Sequence, residues 1–96
     1  MTGVSDEAPQ GGVPGGKPAL RRLHADATII RGNQSAYRYW VTRTSEAIVA
    51  SLQPGSREPL MVEPDGTVTQ GNTRTLVLEQ RGFDINSLPR TPYPYP

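Results

Sequence analysis

Apolar positions along the chain follow two spacings, and these set the expected elements. From Ser45, the residues Ser45, Ile48, Val49 and Leu52 recur at i, i+3, i+4 and i+7. That spacing lays one stripe of a helix against a core. Thr44 or Ser45 begins this helix, and Pro54-Gly55 ends it. Pro59-Leu60-Met61-Val62 is a short apolar run and reads as a strand. Pro64-Asp65-Gly66 is a turn, and Thr67-Val68-Thr69-Gln70 is the return strand of a hairpin. Thr73–Arg81 carries Leu76, Val77 and Leu78 among mostly good helix formers, and Gly82 suits the left-handed residue that follows a helix.

The earlier part of the chain is less regular. Ala27-Thr28-Ile29-Ile30 reads as a short strand, because three of its four residues are β-branched. Arg31-Gly32-Asn33 reads as a turn. Asn33 then caps a short helix over Gln34–Trp40, with Ala36, Tyr37 and Trp40 on one face. After Gly82, Phe83 and Ile85 are apolar anchors, and Asn86 or Ser87 begins one helical turn before Pro89. The fold class expected from this order is α+β: a small mixed β-sheet packed by two or three helices. Its core should hold Ile48, Leu52, Leu60, Val62, Val68, Leu76 and Val77, with Trp40 beside them.

Composition changes the picture at both ends. Residues 1–19 are rich in Gly and Pro and have little to bury, so a disordered tail is expected. Residues 89–96, P-R-T-P-Y-P-Y-P, have too many prolines for a helix or a central strand. They are expected to form an extended tail, partly polyproline II. The domain itself is then residues 20–88.

Charge and missing residue types narrow the chemistry. The 96 residues contain no cysteine and one histidine. Thiol nucleophiles and disulfides are excluded, and neither a bound metal nor another cofactor is expected. The start of the chain has no basic segment leading into an apolar one, and no apolar run is long enough to span a bilayer. A cytoplasmic protein without a membrane partner is the expectation. Lys17, Arg21, Arg22, Arg31, Arg38, Arg43 and Arg57 outnumber Asp26 and Glu46 in the first half of the domain. That imbalance suits an anionic partner and equally suits a solvated surface.

The candidate site is the turn between Gln70 and the helix that follows. Asn72 is a favoured N-cap, and Gly71 permits a sharp turn and the close approach of a ligand. The free N–H groups of Thr73, Arg74 and Thr75 would then point out of the helix start. With the helix dipole they favour an anion, phosphate above all. Arg74 would add a forked, permanently charged donor or, alternatively, pair with Asp84 or Glu46 to hold the fold. A second cluster, Tyr37, Arg38, Tyr39, Trp40 and Arg43, mixes aromatic and basic groups. It could stack a base and touch phosphate, or it could belong to the core.

Taken together, the helix, Pro59–Val62 strand, Asp65-Gly66 turn, strand, Gly71-Asn72-Thr73-Arg74 and closing helix resemble the ParB/sulfiredoxin-like superfamily. The resemblance covers about Thr44–Leu88. It implies a minimal single-domain member with phosphates bound at the G-N-T-R turn. Partition-type members carry G-E-R-R there; Gly71 and Arg74 match its ends, while Asn72 replaces the acid and Thr73 the first Arg. Sulfiredoxins carry a nucleophilic Cys where Asn72 stands, and this chain has none. No pair of carboxylates lies ready for acid–base work, so an enzyme is not expected.

Two readings of function follow. In the first, the chain is a small module that binds a nucleotide or a nucleic-acid backbone at Gly71, Asn72, Thr73, Arg74 and Thr75, with Arg38, Tyr39 and Arg43 as further contacts. In the second it is a protein-interaction module of antitoxin, immunity or accessory type. That reading would use the Pro/Tyr tail and the Tyr37–Trp40 cluster.

Overall fold

A computed structural model describes residues 17–93. The first 16 residues of the tail expected over 1–19, and residues 94–96 of the closing tail, lie outside the described residues. Within them the order is β1 (Arg21–Arg22), α1 (Asp26–Gly32), α2 (Gln34–Val41), α3 (Ser45–Ser51), β2 (Met61–Val62), β3 (Thr67–Gln70), α4 (Asn72–Gln80), a 3-10 turn (Ile85–Ser87) and β4 (Thr91–Pro92). The four strands form one mixed sheet in the order β1-β3-β2-β4. β2 and β3 are the antiparallel hairpin; β1 joins β3 and β4 joins β2, both in parallel. The chain is therefore an α+β domain.

One element differs in kind from the sequence reading. Ala27–Ile30 lies in α1, not in a strand. The cost of β-branched residues in a helix is a few tenths of a kcal/mol each. Burying Ile29, which is 8% exposed, returns about 1.5–3 kcal/mol. Arg22 adds a second tie. Its guanidinium bonds both oxygens of Asp26 at the start of α1 and reaches Glu79 on α4. Burial works against the charge of Arg22, but the bonds and attraction of Asp26 and Glu79 outweigh it and raise its pKa. Tertiary packing on α4 thus overrides local β propensity.

α2 and α3 start where their caps indicate. Asn33 Oδ1 accepts from the Ala36 N–H at 3.3 Å, and Thr44 Oγ1 accepts from the Ala47 N–H at 3.0 Å. α4 closes with a Schellman motif: Phe83 N–H bonds Leu78 O, Gly82 N–H bonds Glu79 O, and Gly82 takes φ +86°. Arg81 follows α4 but serves α2. It donates to the Val41 carbonyl at 3.1 Å and to Ser45 Oγ at 3.0 Å, which ties the end of α2 to the start of α3.

The expected core residues are all buried, and Leu78, Ile85 and Leu88 join them. Trp40 is only half-buried and packs at the edge of this core. The segment expected as an extended tail is used in part: Thr91 N–H bonds Leu60 O and Tyr93 N–H bonds Val62 O. Pro92, which lacks an N–H, sits on the edge strand where none is required. Pro18, in the segment expected as the leading tail, accepts from Arg90 Nη1 at 2.6 Å.

Candidate functional site

The turn between β3 and α4 lies deeper in the molecule than its polar sequence suggests. Gly71 is the N-cap, with φ +105°. A Cβ built on it would meet Leu52 Cδ2 at 3.0 Å and Leu60 Cδ1 at 3.3 Å. Glycine is required here by backbone conformation and by core packing. Leucine side chains fill the direction a Cβ would take, while Gly71 still lines the cavity before α4.

Asn72 is not the cap. It is the first residue of α4, and its amide spans two other segments. Its Oδ1 accepts from the Leu23 N–H at 2.8 Å, and its Nδ2 donates to the Val68 carbonyl at 2.9 Å. The side chain thus fastens the β1–α1 connection to β3, an arrangement that exists only once those segments meet. Asn72→Ala is expected to remove about 1–3 kcal/mol of stability, chiefly because the part-buried Val68 carbonyl loses its partner, the Leu23 N–H being exposed to water. Denaturant unfolding would show the midpoint falling; an unchanged midpoint would mean water replaces both bonds without cost.

Thr75 is also reassigned. It is fully buried; its Oγ1 donates back toward the Gly71 and Asn72 carbonyls, and its N–H bonds Gly71 O. It has no donor left for a ligand. The N–H groups ahead of this first intrahelical bond belong to Asn72, Thr73 and Arg74. The helix start therefore keeps three donors, shifted one residue toward the N-terminus.

Arg74 is the unusual member. It is only 5% exposed, yet no carboxylate lies within ion-pair distance of it among the described residues. Nη1 donates to the carbonyl and hydroxyl of Ser51, at 3.0 and 3.1 Å. Its guanidinium carbon stands 5.4 Å from the centre of the Trp40 ring, a cation–π contact. The two expected carboxylates, Asp84 and Glu46, are not its partners. Burial lowers the pKa of Arg74, and the charge of Glu58 opposes that shift. A guanidinium starts so far above neutral pH that it stays charged.

Two cavities flank this arginine. One, of about 260 Å³, lies before α4 between Asn33, Trp40, Glu58, Gln70, Thr73 and Arg74. The other, of about 200 Å³, lies between Trp40, Ser51, Ser56, Glu58 and Arg74. Arg74, Trp40 and Glu58 line both. The space thus holds a buried cation, three backbone donors at a helix start, one aromatic wall and, from exposed residues, the cation Arg57 and the single carboxylate Glu58. It suits binding of an anion; one carboxylate does not make an acid–base pair. Among the described residues no group of three or more His, Cys, Asp or Glu could hold a metal.

Of the other expected contacts, Arg38, Tyr39 and Arg43 are exposed and line neither cavity. Tyr39 meets Trp40 edge-on, 4.9 Å between ring centres, and Arg43 lies over Tyr39 at 5.2 Å. The cluster therefore touches the site through Trp40 alone. Tyr37 is occupied elsewhere, with its hydroxyl on Gln80 at 2.9 Å. Sequence reasoning missed Glu58, Ser51 and Gln70 as neighbours of Arg74. Nothing in their local sequence marks them, since they converge from a loop, a helix end and a strand end.

No family model, curated protein or solved structure matches the chain. Among the described residues, no helix is long and apolar enough to cross a membrane.

Proposed function

We propose that the chain is a small phosphate-recognising module, of the ParB/sulfiredoxin-like kind, that binds a nucleotide or a nucleic-acid backbone at the start of α4. The observation that carries the reading is Arg74: a cation 95% withdrawn from solvent, without a carboxylate partner, beside a cavity at a helix N-terminus. Burying a charge with no ion-pair contact, and only the exposed carboxylate of Glu58 near enough to act on it, is expensive, and a bound anion would offset that cost. The backbone donors of Asn72, Thr73 and Arg74 and the helix dipole act in the same sense. The recess favours a free nucleotide or a strand end over the continuous backbone of a duplex. Arg38 and Arg43 would steer an anionic ligand from outside.

Arg74→Gln tests the proposal. The variant keeps a donor for Ser51 and loses the charge. Without ligand its thermal midpoint should stay close to that of the parent. Affinity for a phosphate ligand, measured by calorimetry with a nucleotide or an oligonucleotide, should fall by a charge-assisted bond, about 1.5–3 kcal/mol. Binding by the parent should also weaken with added salt. A strongly destabilised variant, from a parent that binds no phosphate ligand, would make Arg74 a structural brace and end the proposal.

A further inference from the structure

A different arginine has unsatisfied donors at the β4 edge of the sheet. Arg90 precedes β4 and donates through Nη1 to the Pro18 carbonyl. Its Nε and Nη2 are buried and have no hydrogen-bond partner among the described residues, and the same is true of Oγ1 of the next residue, Thr91. Burial lowers the pKa of Arg90, and among the described residues no carboxylate lies within ion-pair distance. Buried donors without partners are rare and costly, the more so on a charged group. Nε and Nη2 form one edge of the guanidinium, with two parallel N–H bonds. That edge matches the two oxygens of a carboxylate.

Arg90 also lines a cavity of about 300 Å³. Its other walls are mostly apolar, from Val62, Pro64, Pro92 and Tyr93, with Lys17 and Glu63 completing the lining. The volume is at the lower end of the range for small-molecule sites, and an apolar wall with one or two convergent polar groups is their usual make-up. We infer that this cavity is a second binding site, specific for a small organic carboxylate with an apolar body. The carboxylate takes the Nε/Nη2 edge of Arg90. Lys17 adds positive charge, and the apolar body lies on Val62, Pro92 and Tyr93. The edge is closed to solvent, so the Arg90 side chain turns about its Cγ–Cδ and Cδ–Nε bonds, releasing the Pro18 carbonyl, to present it to the cavity that Arg90 lines. The site is separate from the α4 start and does not depend on it.

Glu63 decides between this reading and its rival, in which Glu63 swings onto Arg90 and the pair is a structural clasp. Benzoate serves as probe, with benzamide as its uncharged counterpart. Amide chemical shifts of the whole chain would be followed during titration, for the parent, Arg90→Gln and Glu63→Gln. Benzoate should shift Val62, Thr91 and Tyr93. Benzamide should bind at least about tenfold more weakly, the equivalent of one charge-assisted bond. Arg90→Gln should lose benzoate binding by a similar factor. Glu63→Gln should keep or tighten it, since a like charge leaves the cavity. The inference fails if benzoate moves none of these amides, if benzamide binds as well, or if inorganic phosphate shifts them more strongly than benzoate. It also fails if Glu63→Gln and Arg90→Gln lower the thermal midpoint equally and neither parent nor variant binds benzoate.

Discussion

Leu52→Ala should lower stability by about 2–5 kcal/mol, the range for truncating a fully buried leucine. Leu52 has no exposed surface. It closes the stripe of α3, and its Cδ2 sits where a side chain on Gly71 would otherwise be. Its carbonyl accepts from Leu60 N–H at 2.9 Å, so the backbone cannot drift far to fill the void. A domain of this size holds on the order of 5–10 kcal/mol in total, so the variant would lose a large share of it. The thermal midpoint should fall by roughly 10 °C or more. A urea melt overlapping the parent curve would mean that α3 does not pack as described. The same variant has a local effect, because Gly71 rests on Leu52. Loosening that contact should relax the start of α4, and phosphate affinity should fall even at temperatures where the variant remains folded.

Gly66→Ala should be nearly as damaging, for a different reason. Gly66 has φ +96°, a conformation that costs a residue with a Cβ roughly 1–2 kcal/mol. A Cβ there would also lie 2.3 Å from the Ala19 carbonyl oxygen, a backbone atom that cannot simply rotate aside. Gly66 O accepts from Arg21 N–H at 2.9 Å, so the chain leading into β1 is held against this turn. The substitution forces Ala19 away and takes β1 with it. Hydrogen exchange should show lost protection at Arg21, while Val68 on β3 keeps most of its own. Full retention of Arg21 protection would mean the turn relaxes without moving β1. If protection disappears equally everywhere, β1 is part of the cooperative core and not a separable edge.

Short-range chemistry along the chain already specifies a good part of this fold. The 3.6-residue spacing from Ser45 to Leu52, the Asn33 and Thr44 caps and the Asp65-Gly66 hairpin all act within a few residues. So does the glycine stop of α4, and tertiary context did not alter any of them. The α+β class and its principal core residues follow from the same signals. The sequence also marked Gly71–Arg74 as the place where a helix start and an arginine meet. Tertiary structure decided what those residues do. Asn72 has the chemistry of a cap, but it was drawn off by Leu23 and Val68, whose backbone groups needed partners. Thr75 turned its hydroxyl onto the helix it belongs to. Ala27–Ile30 became helical because Ile29 and Arg22 gain more from α4 than β propensity costs. Arg74 could have lain on the surface beside an acid. Its depth, its bonds to Ser51 and its place over Trp40 come from α2, α3 and α4 converging, and a chain read residue by residue does not specify how helices converge. Electrostatic meaning depends on that depth: the same arginine is a solvated charge on a surface and an unbalanced one inside.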